Sequence, residues 1–284
     1  SEASVIALFG AAMAGVPYCP LNYRLADEDL GKQLERISPA LLVGDDARAA
    51  RLFVGAQDQR YSREAFIALA AETGKDLAST DSDDEGEPIA LQLFTSGTTA
   101  APKAAILRHS NLLSYILGTV EFASADEADA ALISVPPYHI AGISALLSSI
   151  YSLRRMVMLP NFGPAEWLRL VDQEGVTNAF VVPTMLSRVI ETLDKDDSYK
   201  LGSLRAIAYG GGKMPLEIIQ RALTLFPTTN FTNAYGLTET SSTIALLGPE
   251  EHREAISSDD PAVKARLVSV GKPLPTVEIE IRDD

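Results

Sequence analysis

Short apolar runs alternate with longer amphipathic runs through most of this chain, and that alternation restricts the folds open to it. Residues 89–94, 131–135, 156–159, 178–182, 204–208 and 230–234 read as buried strands. Between them, residues 110–122, 142–153, 165–174, 183–193 and 215–226 read as helices. Joining parallel strands takes a crossover, usually a helix, so the repeat predicts an α/β fold with mostly parallel sheets flanked by helices. Further helices are expected at 5–13, 26–37 and 63–71, with strands at 40–43, 242–247 and 277–281. The expected arrangement is two packed α/β lobes, about 1–88 plus 110–200 and 201–284. In such sheets ligands bind beyond the carboxyl ends of the strands.

Composition narrows the partners. The net charge of −14 argues against a nucleic-acid or anionic-membrane surface. The single cysteine, Cys19, excludes an internal disulfide, fits a reducing, cytoplasmic setting, and reads as a small buried hydrophobe. Residues 131–153 lack Asp, Glu, Lys and Arg, but Pro136, Pro137, Gly142 and five serines break the run. It reads as a buried strand, a loop and a buried helix rather than a transmembrane segment. The acidic run 81–87 reads as a solvated loop.

Several polar motifs follow apolar runs. The first is Thr95-Ser96-Gly97-Thr98-Thr99, with Lys103 behind Pro102 and a helix expected from about Ser110 or Asn111 as N-cap. Glycine lets backbone N–H groups turn to one point, hydroxyls add donors, and an ammonium group offsets phosphate charge. The GxxxxGK[ST] spacing fails, since no Gly precedes Lys103 and no Ser or Thr follows it. A solvated Ser/Thr/Gly turn is the alternative reading.

The second motif is Pro136-Pro137-Tyr138-His139-Ile140-Ala141-Gly142. The third, Tyr209-Gly210-Gly211-Gly212, is either a tight turn or a place where a flat ligand approaches the backbone. The fourth is Asn233-Ala234-Tyr235-Gly236-Leu237-Thr238-Glu239. An aromatic face suits a purine, and carboxylate oxygen suits a hard cation. The fifth is Val268-Ser269-Val270-Gly271-Lys272-Pro273.

These five segments, in this order, resemble the signatures of the adenylate-forming superfamily of acyl-CoA synthetases, aryl-CoA ligases, luciferases and adenylation domains. The resemblance implies that Thr95, Ser96, Gly97, Thr98, Thr99 and Lys103 hold the ATP phosphates. It implies that Gly210, Gly211 and Gly212 lie against adenine and acyl chain. It further implies that Asn233, Ala234, Tyr235, Gly236 and Thr238 complete the ATP site, with Glu239 holding Mg²⁺. Tyr138, His139, Ile143 and Gly211 would line the acyl pocket, and Lys103, Thr238, Glu239 and His139 would be catalytic. The fifth segment has a mainly structural role in the family. Ala100 and Ala104 stand where the family has glycine; a left-handed backbone at either would cost about 1 kcal/mol.

The implied reaction is attack of a carboxylic acid on the α-phosphorus of ATP to give acyl-AMP, then transfer to CoA. The alternatives are an acyl-AMP ligase that delivers to an acyl carrier protein, and a non-catalytic nucleotide- or acyl-binding relative. A fatty or aryl acid is expected, because no Asp or Glu between Asp129 and Glu166 offers a partner to an α-amino group. By the same resemblance the chain is expected to be an incomplete large domain, lacking a first segment, the ribose-binding acid and the C-terminal lid with its lysine.

Overall fold

The computed structural model describes residues 1–52, 59–73, 87–95 and 103–283. It divides into two compact units, Ser1–His109 and Ser110–Asp284. The first contains α1 (Glu2–Met13), α2 (Asp27–Ile37), β1 (Leu41–Gly44), α3 (Asp46–Arg51), β2 (Gln59–Ser62), α4 (Arg63–Thr73), β3 (Ile89–Thr95) and β4 (Lys103–Arg108). Strands β1 and β2 pair in parallel, and β3 and β4 pair antiparallel. Leu30 and Leu34 sit four apart on α2 and pack with Leu52. Half-buried Cys19 lies just before them, and burial pushes its thiol up to about 12, which keeps it protonated and unreactive.

From the unit boundary onward come α5 (His109–Thr119), β5 (Ala130–Ile133), α6 (Ile140–Tyr151), β6 (Arg155–Met158), α7 (Pro164–Glu174), β7 (Asn178–Val181) and α8 (Pro183–Leu193). Then follow β8 (Ala206–Gly210), α9 (Leu216–Leu225), β9 (Asn230–Leu237), β10 (Ser242–Leu247), α10 (Pro249–Ser257), α11 (Pro261–Lys264) and β11 (Lys272–Pro273). Proline opens α7 and α8 at positions where its missing N–H costs nothing. Gly175, in the left-handed conformation, closes α7. No helix among the described residues is long and apolar enough to cross a membrane.

One seven-stranded sheet runs in the order β11-β10-β9-β8-β7-β5-β6, parallel from β9 to β6. The chain winds outward from β5 to β6, then reverses through β7, β8 and β9. Right-handed crossovers then put α6 on one face and α7, α8 and α9 on the other. The alternation within the strands agrees. Ile207, Tyr209 and Phe231 are fully buried in one core with Trp167, Leu186 and Ile219. On the opposite face β8 offers only Ala206 and Ala208, which line a cavity together with Ile140, Ala141 and Ser144 of α6. Under the packed face Tyr209 Oη donates to His252 Nε2 at 2.9 Å, and His252 Nδ1 donates to the Gly248 carbonyl at 2.6 Å. Burial lowers the proton affinity of this imidazole.

The sequence expectation differs from this fold at four points. The chain divides at 109/110, not near 200, because one continuous sheet spans both sides of residue 200. A strand, Lys103–Arg108, stands between the hydroxyl-rich loop and α5, which itself begins at His109 and takes Ser110 and Asn111 into its first turn. Residues 277–281 form no strand, since nothing among the described residues pairs with them. Finally, α3, β2, α10, α11 and β11 form where no element was expected. The acidic stretch 81–86 lies outside the described residues.

Candidate functional site

In the first unit, the ends of the hydroxyl-rich loop are clamped together. Thr95 and Lys103 are paired residues in the β3–β4 ladder, and Thr95 Oγ1 donates to the Lys103 carbonyl at 3.4 Å. Lys103 is exposed at the first position of β4. Ser96, Gly97, Thr98, Thr99 and Ala100 lie outside the described residues. Ala104 pairs with Phe94 within the regular ladder and has no left-handed backbone, so its methyl group brings no strain of the kind considered above.

In the second unit, residues from three motif segments meet at one cavity of about 250 Å³. Ile140 and Ala141 come from the second motif, Gly211 from the third, and Ala234 and Gly236 from the fourth. The cavity lies between α6 and the small-residue face of the sheet, and it draws on both β5 and β7, where the winding direction reverses. That is the switch point at which such sheets bind ligands. It extends from the Ala131–Asn178–Ala206 level to Gly211, five residues further along, which is about 16 Å. Its middle is apolar, with Ile133, Phe180 and Ala208, and its inner end adds polar groups from Ser148, Arg154 and Asn178.

The glycines divide by function. A Cβ on Gly210 would lie 2.3 Å from the Ala234 carbonyl oxygen, and one on Gly236 would lie 1.6 Å from that of Ser242. On Gly142 it would lie 2.3 Å from the Pro136 carbonyl oxygen. These three are needed for backbone-to-backbone packing. Gly211 has a left-handed backbone, with φ of +74°. At Gly212 the nearest atoms to an added Cβ are on Pro183 at 3.8 Å, so neither packing nor φ requires glycine there.

The fourth motif turns the chain from β9 into β10. Thr240 Oγ1 accepts from the Leu237 amide at 2.9 Å and lies 2.9 Å from the Ser242 carbonyl, to which it donates. The next two residues, Ser241 and Ser242, both have positive φ, 55° and 88°. Each costs about 1 kcal/mol in a non-glycine residue. The Ser241 hydroxyl is buried without a hydrogen-bond partner. Tyr235 is 40% exposed, Glu239 is exposed, and Thr238 is half-buried between them. Asn233 Nδ2 donates to the Ser269 carbonyl at 2.8 Å, tying this motif to the fifth. Gly271 of the fifth, at φ +77°, packs against the Leu246 carbonyl.

The expected acyl-pocket set changes with this geometry. Gly211 lines the cavity, whereas Tyr138 and Ile143 are buried in packing away from it. His139 is exposed immediately before α6, its ring 4.7 Å from that of Tyr138. Helical phase explains the difference: residues 140, 141, 144, 145 and 148 share the face toward the cavity, and 143 does not. The residues not anticipated include Ser144, Ser148, Arg154, Asn178, Phe180, Ala206 and Ala208.

The AMP-binding enzyme family model matches residues 1–284, and the chain belongs to that family. It is 30% identical, over 98% of its length, to 2-succinylbenzoate–CoA ligase of Bacillus licheniformis, of which it covers 54%. It is 28% identical, over 94% of its length, to a fatty acid–[acyl-carrier-protein] ligase of Streptomyces coeruleorubidus, again covering 54%. O-succinylbenzoate coenzyme A synthetase of Bacillus subtilis, solved in complex with ATP and magnesium ion, matches with a TM-score of 0.75 at 25% identity, over 100% of this chain and 55% of that one. The chain thus spans about half the length of the relatives it matches.

Proposed function

We propose that these residues are the large-domain part of a cytoplasmic enzyme that activates a carboxylic acid with ATP. The acid carboxylate attacks the α-phosphorus, pyrophosphate leaves, and CoA sulfur then displaces AMP from the acyl-adenylate to give a thioester. The observation that carries this reading is the cavity: three motif segments that resemble acyl-activating signatures line one apolar recess at the switch point of the sheet. The curated relatives named above are ligases of carboxylic acids, and the solved relative was crystallised with ATP and magnesium ion.

In this reading Lys103 offsets phosphate charge, and Thr95, Ser96, Gly97, Thr98 and Thr99 supply donors. Tyr235 offers an aromatic face to adenine, Gly212 leaves the backbone open to it, and Thr238 donates to phosphate. His139 stands at the start of α6 near the reacting carboxylate. Among the described residues no three acidic, histidine or cysteine side chains gather into a metal site. Glu239 alone still fits Mg²⁺, because that ion commonly takes one or two protein carboxylates and completes its shell with phosphate oxygens and water. When bound, the ion would offset negative charge on the transferring phosphoryl group.

The Streptomyces relative supports a second acceptor, an acyl carrier protein. A non-catalytic role loses part of its basis, since Ala104 sits without strain in a strand. The test is pyrophosphate release by the full gene product across a panel of fatty and aryl acids, followed by thioester assays with CoA and with a carrier protein. Release that requires acid, ATP and Mg²⁺ together is expected. No acid-dependent release with any member of the panel would overturn the reading.

A further inference from the structure

The glycine turn at the Gly211 end of the cavity has no side chains of its own to hold it. Gly210, Gly211 and Gly212 are consecutive, so the position of the turn depends on the residues that flank it. On one side Met214 is anchored by burial, at 3% exposed. On the other, Tyr209 is fully buried and its hydroxyl donates to His252 Nε2 at 2.9 Å. The His252 ring stands edge-on to that of Tyr209, at 83° with centroids 5.7 Å apart, and its Nδ1 donates to the Gly248 carbonyl at 2.6 Å. Both ring nitrogens are therefore used. The helix that carries His252, α10, is tied to the start of β9 by Arg253 Nη1, which donates to Asn230 Oδ1 at 2.7 Å. A chain of contacts thus runs from α10 through His252 and Tyr209 to the end of β8.

Packing alone does not call for this pair. The core that holds Tyr209 also holds Phe231, Ala255 and Leu267, and an apolar pair would fill it without burying polar atoms. What a satisfied polar pair adds is direction, since it admits one arrangement where apolar packing admits several. A turn of three glycines is where such a constraint has most effect. Resting on the proposed function, which sets the nucleotide against this turn, we infer that His252 is a positioning residue for nucleotide binding. Fully buried, it acts through Tyr209, whose hydrogen bond holds residues 210–212 where the nucleotide meets their backbone.

The test measures Tm, and KM for ATP and kcat from acid-dependent pyrophosphate release, on variants of the full gene product. Tyr209→Phe and His252→Leu should each raise KM for ATP about 5- to 10-fold, the size of one lost hydrogen bond, with kcat within about twofold of the wild type. Both leave a buried partner unpaired, so both should also lower Tm. The double variant replaces the whole pair by apolar groups and should regain most of the Tm while keeping the raised KM. His252→Gln, whose side-chain oxygen can accept from Tyr209, should stay within about threefold of the wild-type KM. A KM that stays at the wild-type value in the single variants, or that recovers together with Tm in the double variant, would reduce the pair to a purely structural role and overturn the inference. A loss confined to kcat also overturns it. Tyr209→Phe removes one hydroxyl and keeps the ring, so it decides the question if His252→Leu fails to fold. If the wild type releases no pyrophosphate with any acid, acid activation falls, and calorimetric titration of the same variants with AMP then decides the positioning role by the same ratios. No binding of AMP to the wild type overturns both.

Discussion

Placing a methyl group at Gly236 should unfold part of the second unit, whereas the same change at Gly212 should not. At Gly236 the added Cβ would sit 1.6 Å from the Ser242 carbonyl oxygen, 2.5 Å from its carbon and 3.0 Å from Thr243 Cα. All three are backbone atoms, so no side chain can rotate away. Reaching an ordinary contact of about 3.5 Å requires β9 and β10 to part by about 2 Å. A hydrogen bond stretched that far is lost. Overpacking alone costs about 1–3 kcal/mol, and each broken ladder bond adds about 1 kcal/mol. A total of about 3–5 kcal/mol lowers Tm by about 6–20 °C in a domain of this size. At Gly212 the nearest atoms lie at 3.8 Å and φ is not left-handed. Gly212→Ala should therefore change stability by less than about 1 kcal/mol. Thermal unfolding followed by circular dichroism compares the two. If Gly236→Ala melts within about 2 °C of the parent, or if Gly212→Ala falls as far as Gly236→Ala, the argument from backbone contact fails. Since the fold tolerates the methyl at 212, weaker ATP use by Gly212→Ala would report on the ligand and not on the fold.

Three further outcomes are expected. Glu239→Gln should cut pyrophosphate release at least tenfold while acid binding, followed by calorimetry, persists, since the exposed carboxylate is not part of the packing; wild-type release across a range of Mg²⁺ concentrations would count against its metal role. His252 has its proton affinity lowered in the fold by burial, so the unfolded chain takes up a proton first as pH falls. Its contribution is complete above the unfolded pKa near 6.5 and is lost as pH drops below it; His252→Gln should show a shallower fall in Tm between about pH 7 and 5, and parallel curves would refute this. Ser241→Gly removes both a left-handed serine and its unpartnered buried hydroxyl, and after the entropy cost of glycine it should stabilise by about 1 kcal/mol, which a denaturant titration measures; a destabilised variant would show that the turn is unstrained.

Elements with strong periodicity were legible from the sequence. Helices α7 and α8 and strand β7 start or end within a residue of their expected bounds, because Pro164, Gly175 and Pro183 punctuate them. Strand β4 was hidden for a physical reason. It is six residues long, its Ile106 is 53% exposed, and its partner β3 ends at Thr95, well before Lys103 in the sequence. The polar stretch around residue 200 resembles a linker, but it only joins α8 to β8 within one sheet. Residues 277–281 alternate as a strand should, yet pairing needs a neighbour as well as a pattern. At the candidate site, chemistry-bearing side chains such as His139 drew attention, whereas the recess is shaped by alanines and serines with no chemistry of their own. A signal was there: small residues at 206 and 208 alternate with Ile207 and Tyr209, and 141, 144, 145 and 148 of α6 are all Ala or Ser.

That signal also bears on why the recess is lined as it is. A closed, dry void of about 250 Å³ would cost about 6 kcal/mol at about 24 cal/mol per Å³. This is comparable to the entire net stability of many domains. Larger side chains at Ala206 or Ala208 would remove the void, as Ile207 and Tyr209 fill the other face of the same strand. The recess is tolerable because its inner end is polar: Ser148, Asn178 and Arg154 let water satisfy it when no ligand is bound. The same groups give a ligand something to replace that water with. The residues that lower the cost of the open recess in the free protein are therefore also the polar groups a ligand would meet at that end.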